Sequence, residues 1–345
     1  MNGHAVRFHE FGGPDVLVYE EVEVADPGAG EVLLRVLACA INRFDFDVRA
    51  GTSRFPVQTP HTPGIEVVGR IEALGPGVTG DWSVGDRVLA DLMSPCGECR
   101  YCRTGRQSIC MAPGFVSFST GGGYAERLTC HASHLLPVPD ALSDVDAAAV
   151  QMAFATAWHM LFTRGDLRCG ESVLVQSVGG GVGSAAVQLA KLAGAHVIGT
   201  ASSPAKLKRA AELGLDAGID HTAEDVVARV LEETGGMGAD LVIEHVGGEF
   251  FEIGLSSLAK GGRVVVCGGH AGEVVPLDVI PFFRAEKAII GAQSHTRTET
   301  ERVLELAARR VVRPVIHETF PLAETRAATE LVARRENFGK VVIVP

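Results

Sequence analysis

The chain has 345 residues, 46% hydrophobic and 21% charged, with a formal charge of −11 from 31 lysines and arginines against 42 aspartates and glutamates. That length suits about two domains, and an acidic balance with no basic run to offset it excludes a nucleic-acid backbone as partner. The longest apolar stretch, 147–162, is interrupted by Gln151 and His159 and falls short of the roughly 20 residues that cross a bilayer, and the opening MNGHAVRFHEFGG has no apolar signal core, so a cytoplasmic protein without membrane contact is expected.

Taken in chain order, the first 130 residues read as short strands, EVLLRVLACAI, IEVVGRIEAL, DRVLADL and YAERLTC, separated by glycine- and proline-bearing turns. Within them, SPCGECRYCRTGRQSIC (94–110) sets Cys96, Cys99, Cys102 and Cys110 at C-x2-C-x2-C-x7-C. In a reducing compartment such a cluster reads as metal ligands rather than disulfides. Four thiolates saturate a tetrahedral zinc ion and leave no position for substrate, so this is a structural site. Gly97 and Gly105 permit the tight turns it needs. The other cysteines, Cys39, Cys130, Cys169 and Cys267, are scattered, and Cys39 and Cys267 in apolar strands read as buried thiols.

From about residue 154 the texture changes to strand and helix in alternation. SVLVQ (172–176), HVIGTA (196–201), AGID (217–220), DLVIEHV (240–246), RVVVCGG (263–269) and AIIGAQ (288–293) are the predicted strands. GSAAVQLAKLAG, PAKLKRAAELG, AEDVVARVLEETG and FEIGLSSLAKGG are predicted helices between them. The fold class is therefore α/β: a β-rich first domain and a doubly wound parallel sheet. ETERVLELAARR continues as a helix, and GKVVIVP ends the chain as a strand that returns to the first lobe.

The first βα turn of the sheet, VQSVGGGVGSAAVQLA, places Gly180, Gly181, Val182 and Gly183 where backbone amides and a helix N-terminus can meet a pyrophosphate. Val178 stands at the place of the first glycine of G-x-G-x-x-G. About twenty residues on, where a carboxylate would bind the ribose hydroxyls of NAD, the chain has Ala201, then Ser202, Ser203 and Lys206; small hydroxyls and a cation suit a 2′-phosphate, so NADPH is the expected cofactor. His245, His270 and His295 end or follow successive strands, at the edge that faces a ligand crevice, and together with Gly268 are candidates for cofactor contact.

With these motifs in hand, the chain resembles a medium-chain dehydrogenase/reductase, the superfamily of zinc alcohol dehydrogenases and quinone oxidoreductases. The resemblance rests on ACAINRFDFDVRAG, TPGIEVVGRIEALGPGVTG, VGDRV, the four cysteines, GGGYAER, TAWHML, VGGGVGSAAVQLAKLAGA and FGKVVIVP, and it covers nearly the whole chain. It implies a GroES-like catalytic domain over 1–153 with the zinc lobe at 94–110, a Rossmann domain over 154–295, a return to the catalytic domain over 296–345, and a substrate cleft between domains. It also implies one structural zinc ion and, as a guess from the superfamily, a homodimer.

Zinc-dependent members hold a second, catalytic zinc through a cysteine, a histidine–glutamate pair and another cysteine. The corresponding places here are Asn42, Ile65 beside Glu66, and Met152, and zinc prefers anionic sulfur, imidazole and carboxylate over an amide and a thioether. No catalytic zinc is expected, which favours NADPH-dependent hydride transfer to a quinone or an α,β-unsaturated carbonyl, acceptors that conjugation already makes electron-poor. Asn42 is the candidate for orienting the acceptor carbonyl, against a loop-capping role. Asp47 is a proton relay or a solvated carboxylate, Lys340 a cofactor contact, Glu66 the partner of a cation, Tyr124 a packing residue, and His159 a satisfied core histidine at a helix start. The alternatives are an NADP(H)-dependent alcohol or carbonyl dehydrogenase with zinc on Asp45, Asp47 or Glu66, and a nucleotide-binding redox sensor without turnover.

Overall fold

In the computed structural model, which describes residues 1–118 and 121–345, β1 (Asn2–Arg7) and β2 (Val18–Glu23) form an antiparallel pair ahead of the long strand β3 (Glu31–Ala40). Seven of the ten residues of β3 are buried, and strands pair along both of its edges. The helix α1 (Arg43–Ala50) follows at once. Asn42 enters it in extended conformation and its N–H donates to Asp45 Oδ2 at 2.8 Å; Gly51 ends it in the left-handed region at φ 72°. This helix falls in a stretch read from sequence as β structure: RFDFDVRA has weak helical propensity, and the caps at either end define it. β4 (Val67–Leu74), β5 (Arg87–Ala90), the two-residue pair β6 (Met93–Ser94) and β7 (Gly114–Phe115), then β8 (Arg127–His131) and β9 (Leu135–Pro137) continue the lobe. The cysteine loop lies between β6 and β7. α2 (Asp144–Trp158) is apolar all round and buried over most of its length. His159, expected at a helix start, instead follows this helix in a π-type turn, His159–Arg164.

The next strands and helices alternate: β10 (Ser172–Val175), α3 (Gly181–Leu192), β11 (His196–Ala201), α4 (Pro204–Ala211), β12 (Ala217–Asp220), α5 (Val226–Glu233), β13 (Ala239–Glu244), α6 (Glu249–Ser256), β14 (Leu258–Val266), α7 (Val279–Arg284) and β15 (Ala288–Gly291). The strands are all parallel, in the order β12-β11-β10-β13-β14-β15. This is the doubly wound order, with the topological switch beside β10. Helices on both faces explain why the central strands β10, β11 and β13 are near-continuous buried runs rather than alternating ones. One predicted boundary is corrected. LAKGG, read as the end of a helix, opens β14; the register against β13 shifts there, with Gly261 at φ 74°.

After α8 (Arg297–Ala308) come β16 (Ile316–Pro321), α9 (Thr325–Ala333) and β17 (Lys340–Val344). β17 pairs antiparallel with β3, so the closing segment completes a seven-stranded sheet with the path β16-β17-β3-β4-β5-β9 and β8 on β3. The chain divides into two units, Met1–Met152 with Thr300–Pro345, and Ala153–Glu299. The first has a core that includes Val36, Cys39, Val67, Tyr124, Val341 and Ile343. The second has Leu174, Ile198, Val242 and Val264 at the centre of its sheet.

Candidate functional site

The sulfurs of Cys96, Cys99, Cys102 and Cys110 all lie within 4.8 Å of one another. Cys96 and Cys110 are 3.4 Å apart, Cys99 and Cys102 3.6 Å, Cys96 and Cys102 3.9 Å. A tetrahedron of zinc–sulfur bonds of about 2.3 Å has edges of about 3.8 Å, so the four thiols fit one zinc ion with little rearrangement. Short 3₁₀ turns, Cys102–Thr104 and Gln107–Ile109, shape the loop; Gly97 and Gly105 take φ 78° and 75°; and the Cys96 N–H donates to Cys110 Sγ at 3.3 Å. Among the described residues this is the one cluster of three or more histidine, cysteine or carboxylate side chains close enough to share a metal.

A second cluster, entirely polar and nearly dry, is built in the same unit from β3, α1, β4 and β17. Glu66 is 0% exposed. Its Oε1 accepts the Met152 N–H at 2.7 Å, and its Oε2 accepts Asn42 Nδ2 at 3.0 Å and Lys340 Nζ at 2.8 Å. Lys340, 6% exposed, also donates to Ile41 O at 2.9 Å and Asn42 Oδ1 at 2.7 Å. An ammonium has three hydrogens to give, and all three have acceptors inside this unit. The charge of Lys340, expected at the cofactor, is engaged here by Glu66 and Asn42. The cation expected beside Glu66 is therefore Lys340. Asn42 gives its other amide hydrogen to Ala40 O at 3.1 Å, so neither amide hydrogen is left for an acceptor carbonyl.

Asp45 lies one step further in. It accepts the Asn42 N–H, the Tyr124 hydroxyl at 3.0 Å and the Gly64 N–H at 3.3 Å. Burial pushes its carboxyl up to about 6 in spite of those donors. Burial, then the Asp45 charge, push the Tyr124 hydroxyl well up, so Tyr124 packs and donates. Asp47 is half-buried on α1, and its backbone carbonyl accepts from Thr52 and Ser53 as the helix ends. Burial pushes the Cys39 thiol well up as well.

In the second unit the β10–α3 turn brings Gly180, Gly181, Val182 and Gly183 to the start of a twelve-residue helix whose N-cap, Gly180, supplies no side-chain acceptor. The first-turn N–H groups have no partner within the helix, the condition for binding an anion. A Cβ on Gly183 would sit 2.3 Å from Ser177 O, so only glycine lets helix and strand approach this closely. Val178, at the place of the missing first glycine, is fully buried, and a Cβ on Gly199 would lie 2.4 Å from Val178 Cγ1. Gly199 on the neighbouring strand thus makes the room that Val178 fills. The Ser177 N–H donates to Thr200 Oγ1 at 3.1 Å and that of Val178 to Thr200 O at 2.9 Å, which pins the turn.

The loops after β13 and β14 pack backbone to backbone. Gly248 N–H donates to Gly272 O at 3.0 Å, Ala271 N–H to Val246 O at 2.8 Å, and a Cβ on Gly247 would lie 2.5 Å from Gly272 O. Glu244, fully buried, accepts the N–H groups of Val246 and Gly247 at 2.7 and 3.0 Å. His245 has a buried Nδ1 with no hydrogen-bond partner among the described residues, and burial followed by the His270 charge lowers its ring to about 4. Gly268 has φ 153°, and a Cβ there would be 2.6 Å from His245 O. His270 is exposed, whereas His295 is 2% exposed with Nδ1 3.3 Å from Ser294 Oγ. Burial pushes the Cys267 thiol up to about 11. His159 is held by Glu299 at 3.0 Å in the same unit. Burial would raise that carboxyl, but its bonds from His159, Thr163 and the Thr296 N–H hold it below the usual range.

Two domain families match the chain: the alcohol dehydrogenase GroES-like domain over 28–140 and the zinc-binding dehydrogenase domain over 181–309. The chain belongs to the medium-chain dehydrogenase/reductase superfamily. Quinone oxidoreductase of Rattus norvegicus is 31% identical over 350 residues, 99% of this chain and 97% of that protein. Acryloyl-coenzyme A reductase of Metallosphaera sedula is 34% identical over 351 residues, covering 99% of each. A solved NAD-dependent alcohol dehydrogenase superposes with TM-score 0.92 at 35% identity, covering 99% of each chain. This medium-chain dehydrogenase/reductase is therefore an oxidoreductase with a GroES-like domain, a parallel-sheet nucleotide-binding domain and a four-cysteine cluster that fits structural zinc.

At the places that hold the second zinc in zinc-dependent members, the donor set does not fit the ion. Ile65 is apolar and 1% exposed, Met152 meets Glu66 through its backbone, and both Glu66 oxygens already have protein donors, one of them a cation. Sequence reasoning singled out Asn42 and Glu66 but could not join them to Lys340, because that contact depends on β17 lying against β3.

Proposed function

We propose that this dehydrogenase/reductase transfers hydride from NADPH to a quinone or an α,β-unsaturated carbonyl without a catalytic metal. The observation that carries the reading is the Glu66–Lys340–Asn42 cluster, in which a lysine ammonium, the Asn42 side-chain amide and the Met152 N–H engage the one carboxylate left at the second-zinc places. With no Lewis acid to polarise a simple carbonyl, the acceptor must be activated by its own conjugation. NADPH, when bound, supplies the hydride. An enone takes it at the β-carbon, where a C–H bond forms; the C=C pair shifts to the carbonyl oxygen, and a proton from water completes the saturated ketone. Asn42, at the start of α1, positions through the cluster it locks, and Asp47, half-buried on α1, is the candidate to relay that proton.

On the cofactor side, Gly180 to Gly183 offer backbone amides to the pyrophosphate and the orphan His245 Nδ1 offers a further polar contact. Ala201, 3% exposed, ends β11 without a carboxylate; Ser202 is exposed, and Ser203 caps α4 through Lys206 N–H at 3.4 Å. An uncharged strand end followed by hydroxyls and Lys206 favours the 2′-phosphate of NADPH. The test is nicotinamide oxidation with a panel of quinones, enones and simple aldehydes, each with NADPH and NADH. The expected result is turnover of quinones and enones with NADPH preferred, and a Lys206→Glu variant that loses about tenfold in kcat/KM with NADPH but little with NADH. Oxidation of simple alcohols without reduction of any enone would support the dehydrogenase reading instead, and cofactor binding without turnover the redox-sensor reading.

A homodimer belongs to the same proposal. β15 is an edge strand that carries the exposed Ile289, and Val274, Val279, Ile280 and Phe283 before it in the chain are exposed too, apolar side chains that a second copy would cover. Sedimentation is expected to give a dimer mass, and Phe283→Glu a shift toward monomer; an unchanged monomer mass in both proteins contradicts it. A cytoplasmic setting suits eight cysteines that are all unpaired by disulfides. No helix among the described residues is long and apolar enough to cross a membrane.

A further inference from the structure

The segments 51–62 and 114–118 of the first unit meet beside α1. Buried polar side chains join them next to the fully buried Val116: His61 Nε2 lies 3.0 Å from Ser117 Oγ, that hydroxyl donates to Thr62 O at 3.2 Å, and the two residues are 9% and 2% exposed. The large apolar side chains, Phe44, Phe55, Phe115 and Phe118, are left half-exposed. Phe44 and Phe118 pack against the core with one part of their surface, and the part each ring leaves exposed would gain by leaving water. The four rings form one contiguous wall. Phe55 stands at its centre, 5.6 Å from Phe44, 5.2 Å from Phe115 and 5.1 Å from Phe118 between centroids, and Phe44 and Phe118 are 5.6 Å apart. Interplanar angles from 37° to 85° present both edges and faces, the arrangement that attracts a further planar ring.

We infer that this wall is a specificity element for the acceptor, and that the acceptor carries an aromatic or similarly flat apolar group conjugated to its reducible bond. The inference rests on the reductase reading above and narrows it. Phe44 is two residues past Asn42 on the first turn of α1, which ties the wall to the segment that carries the polar cluster. The wall itself is hydrocarbon. Its ring neighbour His61 is lowered to about 4 by burial and then by the Arg7 charge, so it stays neutral at assay pH. Selection is therefore by flatness and apolar area rather than by hydrogen bonding, and small acceptors of the acryloyl type would leave the rings uncovered.

The experiment pairs benzylideneacetone with methyl vinyl ketone, and 1,4-naphthoquinone with 1,4-benzoquinone, in the wild type, Phe55→Ala and Phe55→Leu. Alongside, calorimetry measures binding of 4-phenyl-2-butanone, which cannot be reduced at a C=C bond, and of NADPH. The wild type is expected to favour the aryl member of each pair, and Phe55→Ala to lose about tenfold in kcat/KM for the aryl acceptors, mainly through KM, with the small acceptors and NADPH affinity nearly unchanged. Phe55→Leu should recover part of the loss. Calorimetric affinity for 4-phenyl-2-butanone should fall in parallel. Equal loss for large and small acceptors, no loss for either, or unchanged 4-phenyl-2-butanone binding in Phe55→Ala overturns the inference. If no acceptor is reduced by any protein but 4-phenyl-2-butanone binding still falls in Phe55→Ala, the reductase reading fails while the aromatic site stands.

Discussion

Replacing Lys340 by methionine is expected to cost about 3–5 kcal/mol of unfolding free energy, among the largest effects of any single substitution in the chain. Glu66 is 0% exposed and its Oε2 faces the ammonium at 2.8 Å. Removing the cation leaves a carboxylate in a dry interior with only the Asn42 and Met152 donors. It also strips Asn42 Oδ1 and Ile41 O of their partner. The double variant Glu66→Gln with Lys340→Met should recover part of the loss, because the neutral amide can still accept the Met152 N–H and, once the Asn42 amide turns over, donate to Asn42 Oδ1. Urea denaturation of the four proteins of the cycle measures this. A coupling of about 2 kcal/mol or more is expected; a Lys340→Met cost below about 1 kcal/mol, or strict additivity, contradicts a tightly paired cluster.

Cys102→Ser is expected to abolish zinc retention and to unfold the 94–110 lobe locally while sparing the second unit. Binding to four thiolates contributes on the order of 10 kcal/mol in isolated zinc modules. The loop between β6 and β7 has only short 3₁₀ turns and few buried apolar side chains to replace that contribution. Metal analysis should give one zinc per chain in the wild type and none in the variant, with limited proteolysis cutting near 94–110 much faster. NADPH affinity should be nearly unchanged, since Gly180 to Gly183 belong to the other unit. Full zinc retention by Cys102→Ser would show that the four sulfurs do not act together.

The parallel sheet was legible because its central strands are buried on both faces: runs such as SVLV and HVIGTA carry no polar alternation, and their glycine-bearing turns mark where helices begin. The cysteine cluster was legible because all four ligands are close in sequence. What could not be read depends on contacts between distant segments. α1 is set by its caps rather than by composition, and β14 starts inside a stretch of good helix formers because its backbone is claimed by β13. Lys340 was assigned to the cofactor, and only the pairing of β17 with β3 brings it to Glu66. Val178 looked like a departure from the glycine pattern until Gly199, on the next strand, supplied the missing space. The phenylalanine wall escaped notice for the same reason, being assembled from Phe44 on α1, Phe55 after it, and Phe115 and Phe118 some sixty residues on.

The central claim is that hydride reaches an already conjugated acceptor without a second metal ion. Its most direct test is zinc content measured on the same enzyme preparation as NADPH-dependent enone turnover, before and after treatment with a chelator that leaves the four-cysteine zinc in place. One zinc per chain and unchanged turnover are the predicted result. A second zinc beside Asn42 and Glu66, whose removal alone abolishes turnover, would contradict it.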